Sequence, residues 1–278
     1  MTSGPGDVTG KTREFWDTNP CGSLTSAYPR GTREFFEEVA RRRYQEETYI
    51  EDFARFQEHA GERMLEIGVG AGSDASRFAA AGARYFAADL SGGSLRMTKD
   101  RFALFGLKGG FVNASATELP YATGVFDTVY CHGVLHHIPD ARAVCREVAR
   151  VLKPGGKFFV AVYHKHSLAY YWNILIINGL LKGKIWRKPI PQLIADFTDG
   201  EGNPYALLYT RESLTGLLRD CGLQVAGTRT YYVSHNLLFA PLGKYVRRSR
   251  LPAFLVSILE SLAKRWGWML TTVAQKPQ

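Results

Sequence analysis

Cysteine is scarce in this sequence, and its spacing argues against two common uses. The four cysteines, Cys21, Cys131, Cys145 and Cys221, stand far apart and form no C-x-x-C pair. Disulfide frameworks and thiolate zinc sites both need cysteines in recognisable groups, so neither is expected here. This distribution favours a reduced, cytoplasmic protein.

The sequence also lacks a hydrophobic run long enough to cross a membrane. The longest apolar run, at about residues 168–181, is interrupted by Asn173 and Asn178 and falls short of the ~20 residues that a spanning helix needs. The opening stretch MTSGPGDVTGK contains no apolar segment and does not resemble a secretory signal. We therefore expect a cytoplasmic protein that makes peripheral contact with a membrane at most.

Acidic residues are outnumbered by basic ones, which sets the charge of the protein. The chain has 26 Asp and Glu against 35 Lys and Arg, which gives a formal net charge of +9. Such a charge attracts phosphates, nucleic acids or anionic membranes. Two basic clusters, at 182–188 and 244–250, carry much of the excess. A solvated surface is the simplest explanation for both clusters.

Hydrophobic periodicity divides the first half of the chain into three parts. Residues 1–12 have few apolar side chains, which predicts a flexible tail. In residues 13–59, apolar residues three and four apart predict helices that cover the binding site. From residue 60 to residue 163, five short apolar strands alternate with helices. This alternation predicts a parallel sheet with helices on both faces, which binds ligands at the carboxyl ends of its strands.

Beyond residue 163 the alternation is interrupted twice. Insertions at about 164–205 and 235–265 follow the fifth and sixth strands, and GWMLTTVAQK predicts a seventh strand. We therefore assign 60–278 to one α/β domain with a seven-stranded, mostly parallel sheet, in which the insertions cover the substrate. The apolar residues of 251–266 recur every three to four positions, which predicts a core-facing helix or a homodimer contact. Alternatively, apolar stripes beside basic clusters dock on an anionic membrane or admit a lipid-like substrate.

A glycine-rich turn follows the first predicted strand and precedes a helix. Glycine there lets a ligand lie against the backbone. Asp89 ends the next strand, where a carboxylate can accept hydrogen bonds from ribose hydroxyls. A dinucleotide fingerprint would need glycine at position 73, which is serine, and the Gly-Lys-Ser/Thr of a Walker loop is absent. The pattern predicts a nucleoside site without identifying the nucleoside. The residues of this turn are Glu66, Gly68, Gly70 and Gly72.

At this point the sequence resembles a known family, the class I S-adenosylmethionine-dependent methyltransferases, in the subgroup that includes quinone and small-molecule methyltransferases. The resemblance covers roughly residues 60–163, and it implies a Rossmann-like fold with S-adenosylmethionine as the cofactor. The four stretches that carry it are MLEIGVGAG, AADLS, ATELPYATGVFDTVYCHGVLHHIPD and REVARVLKPGGKFFV.

The resemblance also implies roles for individual residues. The glycine turn would pass the methionine half of the cofactor, Asp89 would hold the ribose hydroxyls and Leu90 would flank the adenine. Where the family has an aspartate near the adenine amino group, this chain has Ser115, whose hydroxyl can still accept a hydrogen bond. The backbone at Ala116 and the strand end at Cys131 would complete the cofactor pocket.

Three histidines follow the fourth strand in YCHGVLHHIPD, where the methyl group should face the substrate. A metal site would need a further ligand and a second shell, which His164 or His166 could in principle contribute. Similar stretches occur in the family without metal, so we predict none.

Catalysis is the second interpretation of these histidines. Methyl transfer to oxygen or nitrogen removes a proton, and imidazole titrates near neutral pH. The resemblance implies such a role for His136 and His137, with His132 as a third candidate. The alternative is that they pack beside the following helix, with Asp140 as its N-cap.

Aromatic side chains would stabilise cationic charge beside the methyl group, although each candidate could equally pack in the core. The candidates are Trp16, Tyr121, Tyr163 and Tyr170.

The predicted function is methylation of a small, hydrophobic or aromatic metabolite. The alternatives are cyclisation or rearrangement with bound cofactor, methylation of a lipid or isoprenoid substrate, and binding without catalysis. Nucleic acid is not the expected substrate, because the fourth strand ends in CHGV rather than a base-methylation motif.

Overall fold

The structure is a computed structural model that describes residues 5–23, 26–231 and 252–278. Its strands form one seven-stranded sheet in the order β3-β2-β1-β4-β5-β7-β6. Neighbours from β3 to β5 are parallel, whereas β7 is antiparallel to both β5 and β6. The predicted mostly parallel sheet is thereby confirmed. The strands are β1 (Arg63–Ile67), β2 (Arg84–Asp89), β3 (Gly110–Asn113), β4 (Phe126–His132), β5 (Leu152–Tyr163), β6 (Gln224–Tyr231) and β7 (Met269–Gln275).

Helices cover both faces of this sheet and one end of it. In the described ranges, none of them is long and apolar enough to cross a membrane. A π-helix at Ala169–Leu181 and short 3-10 turns at Phe56–His59, Leu135–His137 and Lys184–Trp186 complete the elements. The α-helices are α1 (Pro5–Thr18), α2 (Arg33–Glu46), α3 (Tyr49–Ala54), α4 (Ser73–Ala80), α5 (Gly92–Phe105), α6 (Ala141–Val151), α7 (Ile190–Asp199), α8 (Arg211–Asp220) and α9 (Ala253–Trp266).

The core lies on the two faces of the central strands, because neighbouring strand residues point in opposite directions. Val129 packs in a cluster with residues of α6 and α8. Tyr130, the next residue, packs on the other face with Phe53 of α3 and Phe78 of α4. The continuous apolar character of β4 and β5 therefore reflects burial on both sides.

The first helix begins earlier than the sequence predicts. Residues 5–12, which the sequence assigns to a tail, belong to α1, while residues 1–4 lie outside the described chain. Neighbours of the helix C-terminus hold it in place. The carboxylate of Asp17 accepts hydrogen bonds from the Gly93 N–H at 2.9 Å and the Ser91 hydroxyl at 2.9 Å. These hydrogen bonds stabilise the helix, and because they are polar contacts, the spacing of apolar residues could not predict them.

The structure describes the first insertion in full and the second only in part. The first contains the π-helix and α7, whereas residues 235–251 of the second, with the basic cluster at 244–250, lie outside the described chain. In α9, Phe254 and Ile258 are exposed and Ala263 is buried. The Thr230 hydroxyl of β6 donates to the Lys264 carbonyl at 2.7 Å, which fixes the end of the helix against the sheet.

Candidate active site

A cavity of about 740 Å³ opens at the carboxyl ends of β1, β2 and β4. This is where an open parallel sheet binds its ligands. The cavity is covered by α1, through Thr12 and Trp16, and by α2, through Arg42 and Arg43. The predicted helical cover therefore closes the site rather than standing apart from it.

The glycine turn forms the floor of the cavity. Gly68 and Gly70 have φ angles of 77° and 52°, in the left-handed region that favours glycine. A Cβ on Gly68 would overlap the Val134 side chain, and one on Gly70 would lie 3.1 Å from Cβ of Cys21. The Cys21 carbonyl also accepts the Ala71 N–H at 3.2 Å. The turn needs glycine because the covering loop and the 3-10 turn after β4 pack directly on it.

Asp89 lies at the end of β2 with its carboxylate held from two sides. Its oxygens accept the N–H groups of Val69 and Ser91, each at 2.8 Å. Burial raises the pKa of this carboxyl group. Asp89 and its neighbour Leu90 both line the cavity, as the resemblance implies for residues beside a nucleoside.

The loop after β3 supplies another wall of the cavity. Ser115 and Ala116 line it, together with Thr117, and the hydroxyls of Ser115 and Thr117 lie 2.7 Å apart. Cys131 is placed differently from expectation, because β4 continues to His132 and the Cys131 side chain is buried in the core. The strand end therefore reaches the cavity one residue later than predicted.

Glu66 and Asp74 are buried carboxylates on the same side of the cavity. The Tyr85 hydroxyl donates to Oε2 of Glu66 at 2.6 Å. None of the ion pairs among the described residues includes Glu66. Burial and the nearby charge of Asp74 raise its pKa well above the usual value. A cationic ligand group beside Glu66 would stabilise its charged form.

His132 lines the cavity, but both of its ring nitrogens are engaged. Arg43 Nη2 lies 3.2 Å from Nδ1, and the Tyr49 hydroxyl lies 2.8 Å from Nε2. Arginine can only donate, so Nδ1 accepts and Nε2 carries the proton of the neutral ring. Burial and the charge of Arg43 lower the pKa of His132. This ring is therefore part of a fixed network that links the cover to the sheet.

His136 does not reach the cavity. It is fully buried, its ring stacks on that of Tyr163 at 3.7 Å between centroids, and its Nδ1 accepts the Tyr163 N–H at 3.3 Å. Burial, followed by the nearby His137 and His132, holds the pKa of His136 well below its usual value. The ring packs as a neutral group behind the site.

His137 is the histidine of the pair that faces the cavity. Its Nδ1 lies 2.8 Å from the Tyr205 carbonyl, which only accepts, so Nδ1 carries a proton. Its Nε2 lies 3.2 Å from Oδ2 of Asp199. The ring also meets Trp16 edge-on at 5.4 Å between centroids. The second nitrogen of His137 thus lies buried against the carboxylate of Asp199, while the ring itself borders the cavity.

Asp199 is a site residue that the sequence does not reveal. It ends α7 in the first insertion, lines the cavity and accepts the Tyr163 hydroxyl at 3.3 Å. No motif marks it, because its partners His137 and Tyr163 are distant in sequence. Only the return of the insertion to the cavity brings them together.

The four aromatic candidates divide into two pairs. Trp16 and Tyr163 line the cavity. Tyr121 packs instead against the rings of Phe86 and Phe126, and Tyr170 belongs to the cluster under the first insertion. The cavity is thus bordered by two of the expected rings. Trp268 and Met269, which the sequence did not single out, line it as well.

The remaining histidines are not brought to the cavity. His164 is buried, with Nδ1 3.0 Å from the Gly267 carbonyl, and His166 is exposed, with Nδ1 2.8 Å from the Tyr171 hydroxyl. Within the described ranges, no group of three or more His, Cys, Asp and Glu side chains is arranged to hold a metal ion.

The part of the chain that runs from β1 to β5 is similar to known proteins. Residues 65–160 match the family described as a methyltransferase domain. The chain is 34% identical over 124 residues to the "Ubiquinone biosynthesis O-methyltransferase" of Aromatoleum aromaticum, an alignment that covers 44% of this chain and 53% of that protein. The chain thus spans about half the length of this curated relative.

Two solved structures resemble the whole fold. The [4+2]-cyclase SpnF superposes with a TM-score of 0.59 and 17% identity, covering 95% of this chain and 94% of that one. The 1,6-didemethyltoxoflavin-N1-methyltransferase of Burkholderia thailandensis, solved with S-adenosylhomocysteine, has a TM-score of 0.58 and 16% identity, covering 100% and 92%. At such identities the structures show the fold alone. Together with the matched residues, they show that this chain has the fold of these proteins and that residues 65–160 are similar to a methyltransferase domain.

Proposed function

We propose that this protein transfers a methyl group from S-adenosylmethionine to a hydroxyl group of a small, hydrophobic or aromatic metabolite. The observation that carries the proposal is the pair formed by His137 and Asp199 on the cavity wall, 3.2 Å apart. A hydroxyl acceptor must lose its proton, and this pair offers an imidazole and a carboxylate side by side on the cavity wall.

The residues of the cavity suit S-adenosylmethionine chemically. Asp89 offers a carboxylate to ribose hydroxyls, and Glu66 offers a buried carboxylate to an ammonium group. Gly133 lines the cavity, and a Cβ there would project into open space, so the backbone leaves room for a ligand. When bound, S-adenosylmethionine supplies a methyl group already activated by its sulfonium.

The chain's own residues would then orient the acceptor and take its proton. Because Nδ1 of His137 is held by the Tyr205 carbonyl, Nε2 is the ring nitrogen left to receive the proton, and it would share that proton with the facing carboxylate of Asp199. The charge of Asp199 stabilises the imidazolium that forms, and the Tyr163 hydroxyl fixes that carboxylate. Correct alignment of an acceptor with the methyl group supplies much of the remaining acceleration.

An apolar acceptor fits the rest of the wall. Trp16 and Tyr163 lie on either side of His137, at 5.4 and 6.0 Å between ring centroids. Trp268 stacks on Tyr163 at 4.5 Å, and Met269 follows it on the cavity wall. Such a surface favours a flat or aliphatic molecule and stabilises cationic character at the methyl group.

Calorimetry and product analysis test the proposal in sequence. We expect micromolar binding of S-adenosylmethionine, lost in Asp89→Ala but retained with Glu118→Gln, a change at an exposed carboxylate. A panel of phenols and hydroxyquinones with isotope-labelled cofactor should then yield labelled ether and S-adenosylhomocysteine in equal amounts. Failure to bind the cofactor contradicts the proposal. A product of altered skeleton without S-adenosylhomocysteine would instead establish cyclisation or rearrangement.

A further inference from the structure

The first insertion presents an exposed apolar tip at the end of the π-helix. Leu181 is 73% exposed and Trp186 is 82% exposed, values that are unusual for side chains of this size and character. Leu180 and Ile190 are exposed beside them. We call this group, with the basic residues between its members, the insertion tip (residues 180–190).

The exposure of the tip does not arise from a loosely packed segment. The opposite side of the π-helix buries Ile174 and Ile177. Ile174 belongs to a cluster with Leu193 and Ile194 of α7, and Lys188 is paired with Asp196 at 2.7 Å. The segment is therefore anchored from behind, and it holds its apolar side chains outward.

The charged residues within the tip itself are all basic. Lys182 and Arg187 are exposed between the apolar residues, and from residue 148 to residue 195 the sequence contains no Asp or Glu. The carboxylates of Asp196 and Glu201, outside the tip, pair with Lys188 and Lys184, respectively. The tip thus combines large apolar side chains with unneutralised positive charge.

We propose that the insertion tip docks on an anionic membrane surface. Leucine and tryptophan side chains enter the headgroup region of a bilayer, and lysine and arginine beside them meet anionic headgroups. A second copy of the chain fits this surface less well, because a two-fold contact would place Lys182 and Arg187 against like charges of the partner. An anionic bilayer satisfies both the apolar and the charged groups.

The position of the tip relative to the cavity gives such docking a consequence. Helix α7 begins at Ile190 in the tip and ends at Asp199 on the cavity wall. Ten helical residues span ~15 Å, so a docked protein would hold its cavity within about two helix diameters of the membrane surface. Docking does not depend on the proposed methyl transfer, and it is measured without a methyl donor.

Co-sedimentation with vesicles tests the proposal on the full chain. The vesicles are phosphatidylcholine alone, or phosphatidylcholine with one quarter phosphatidylglycerol. We expect binding to the anionic vesicles that weakens with added salt. Leu181→Glu, and separately the double variant Lys182→Glu/Arg187→Glu, should each lower the partition coefficient about tenfold.

Matched controls separate the tip from general effects of charge. Leu104→Glu changes an exposed leucine of α5, and Lys99→Glu/Lys108→Glu changes the net charge as much as the tip double variant does; both should bind as the wild type does. Equal losses in tip and control variants, or no binding to anionic vesicles, would overturn the proposal. A monomer–dimer equilibrium abolished by Leu181→Glu, seen by sedimentation velocity without vesicle binding, would assign the tip to a second copy instead.

Discussion

Arg43 and Asp74 form a two-pronged ion pair that joins the cover to the sheet domain. Arg43 Nη2 lies 2.7 Å from Oδ2 of Asp74, and Nε lies 3.0 Å from Oδ1. The hydroxyls of Tyr44 and Tyr130 donate to the same carboxylate. Burial alone would raise the pKa of Asp74, but the charge and hydrogen bonds of Arg43 outweigh it and hold the pKa below its usual value.

Removing the cation of this pair should destabilise the protein strongly. Arg43→Met leaves the buried charge of Asp74 without its counter-ion, which typically costs about 3–5 kcal/mol. Urea denaturation measures the loss in the free energy of unfolding. Arg41→Met, at an exposed arginine of the same helix, should cost less than about 1 kcal/mol. Adding Asp74→Asn to Arg43→Met should recover part of the loss, and equal effects of the two arginine variants would contradict the interpretation.

Substitution of Glu66 should stabilise the ligand-free protein, in contrast to substitution of Arg43, and the gain should depend on pH. The pKa of Glu66 is raised in the folded state by burial and by Asp74, so above the unfolded value of about 4.3 the folded state binds more protons than the unfolded state. The free energy of unfolding contributed by this group therefore falls as the pH rises. Glu66→Gln removes that penalty, so ligand-free protein should gain more stability at pH 7.5 than at pH 4.5.

Urea denaturation at the two pH values, without cofactor, measures this difference. Glu118→Gln is the control, because that carboxylate is exposed and its substitution should change stability little at either pH. A gain for Glu66→Gln that is the same at both pH values would show that the buried carboxylate does not titrate as described.

His137→Gln should separate catalysis from cofactor binding. Loss of a general base typically lowers kcat by about 10²–10⁴, whereas Asp89 and the glycine turn remain to bind the cofactor. Steady-state kinetics and calorimetry on the same preparation measure both effects, and Asp199→Asn should reproduce the loss of kcat in part. His166→Gln, at an exposed histidine outside the cavity, should leave both quantities unchanged. A loss of kcat with His132→Gln but not with His137→Gln would assign the base to His132.

Asp17→Ala tests the docking of the first helix. The carboxylate accepts hydrogen bonds from Ser91 and Gly93, and losing them at an exposed position should cost about 1 kcal/mol. We expect limited proteolysis within residues 5–18 to accelerate about fivefold, because Trp16 would no longer be held over the cavity. Asp100→Ala on α5 is the matched control, and equal cleavage rates in the two variants would argue against the docking role.

The sheet and the position of the glycine turn and Asp89 at the cavity could be predicted from the sequence because their signals are local. Apolar runs of β1, β2 and β4 alternate with helices, and the glycine turn and Asp89 follow their strands directly. The acceptor side could not be predicted in the same way. Asp199 and Trp268 reach His137 and Tyr163 only through tertiary packing, and no short motif marks such contacts.

Two further local features, the start of β5 and the orientation of two histidines, could not be predicted from the sequence either. Helix α6 ends at Val151, and the next residue, Leu152, already pairs with Phe126 as the start of β5, which includes Pro154 and two glycines. Proline and glycine are unfavourable in a strand interior, so local propensity hides this extension. The 3-10 turn at Leu135–His137 likewise decides which histidine faces the cavity, because it turns His136 inward and His137 outward.

The antiparallel β7, inserted between β5 and β6, has a consequence for synthesis on the ribosome. Until residues 269–275 have emerged, β5 and β6 have no strand between them, and a nascent chain exposes two unpaired edges. Such edges invite pairing with other chains. The cavity would also lack Trp268 and Met269 until that moment. Pairing of β7 therefore protects these edges and brings Trp268 and Met269 to the cavity wall in a single step.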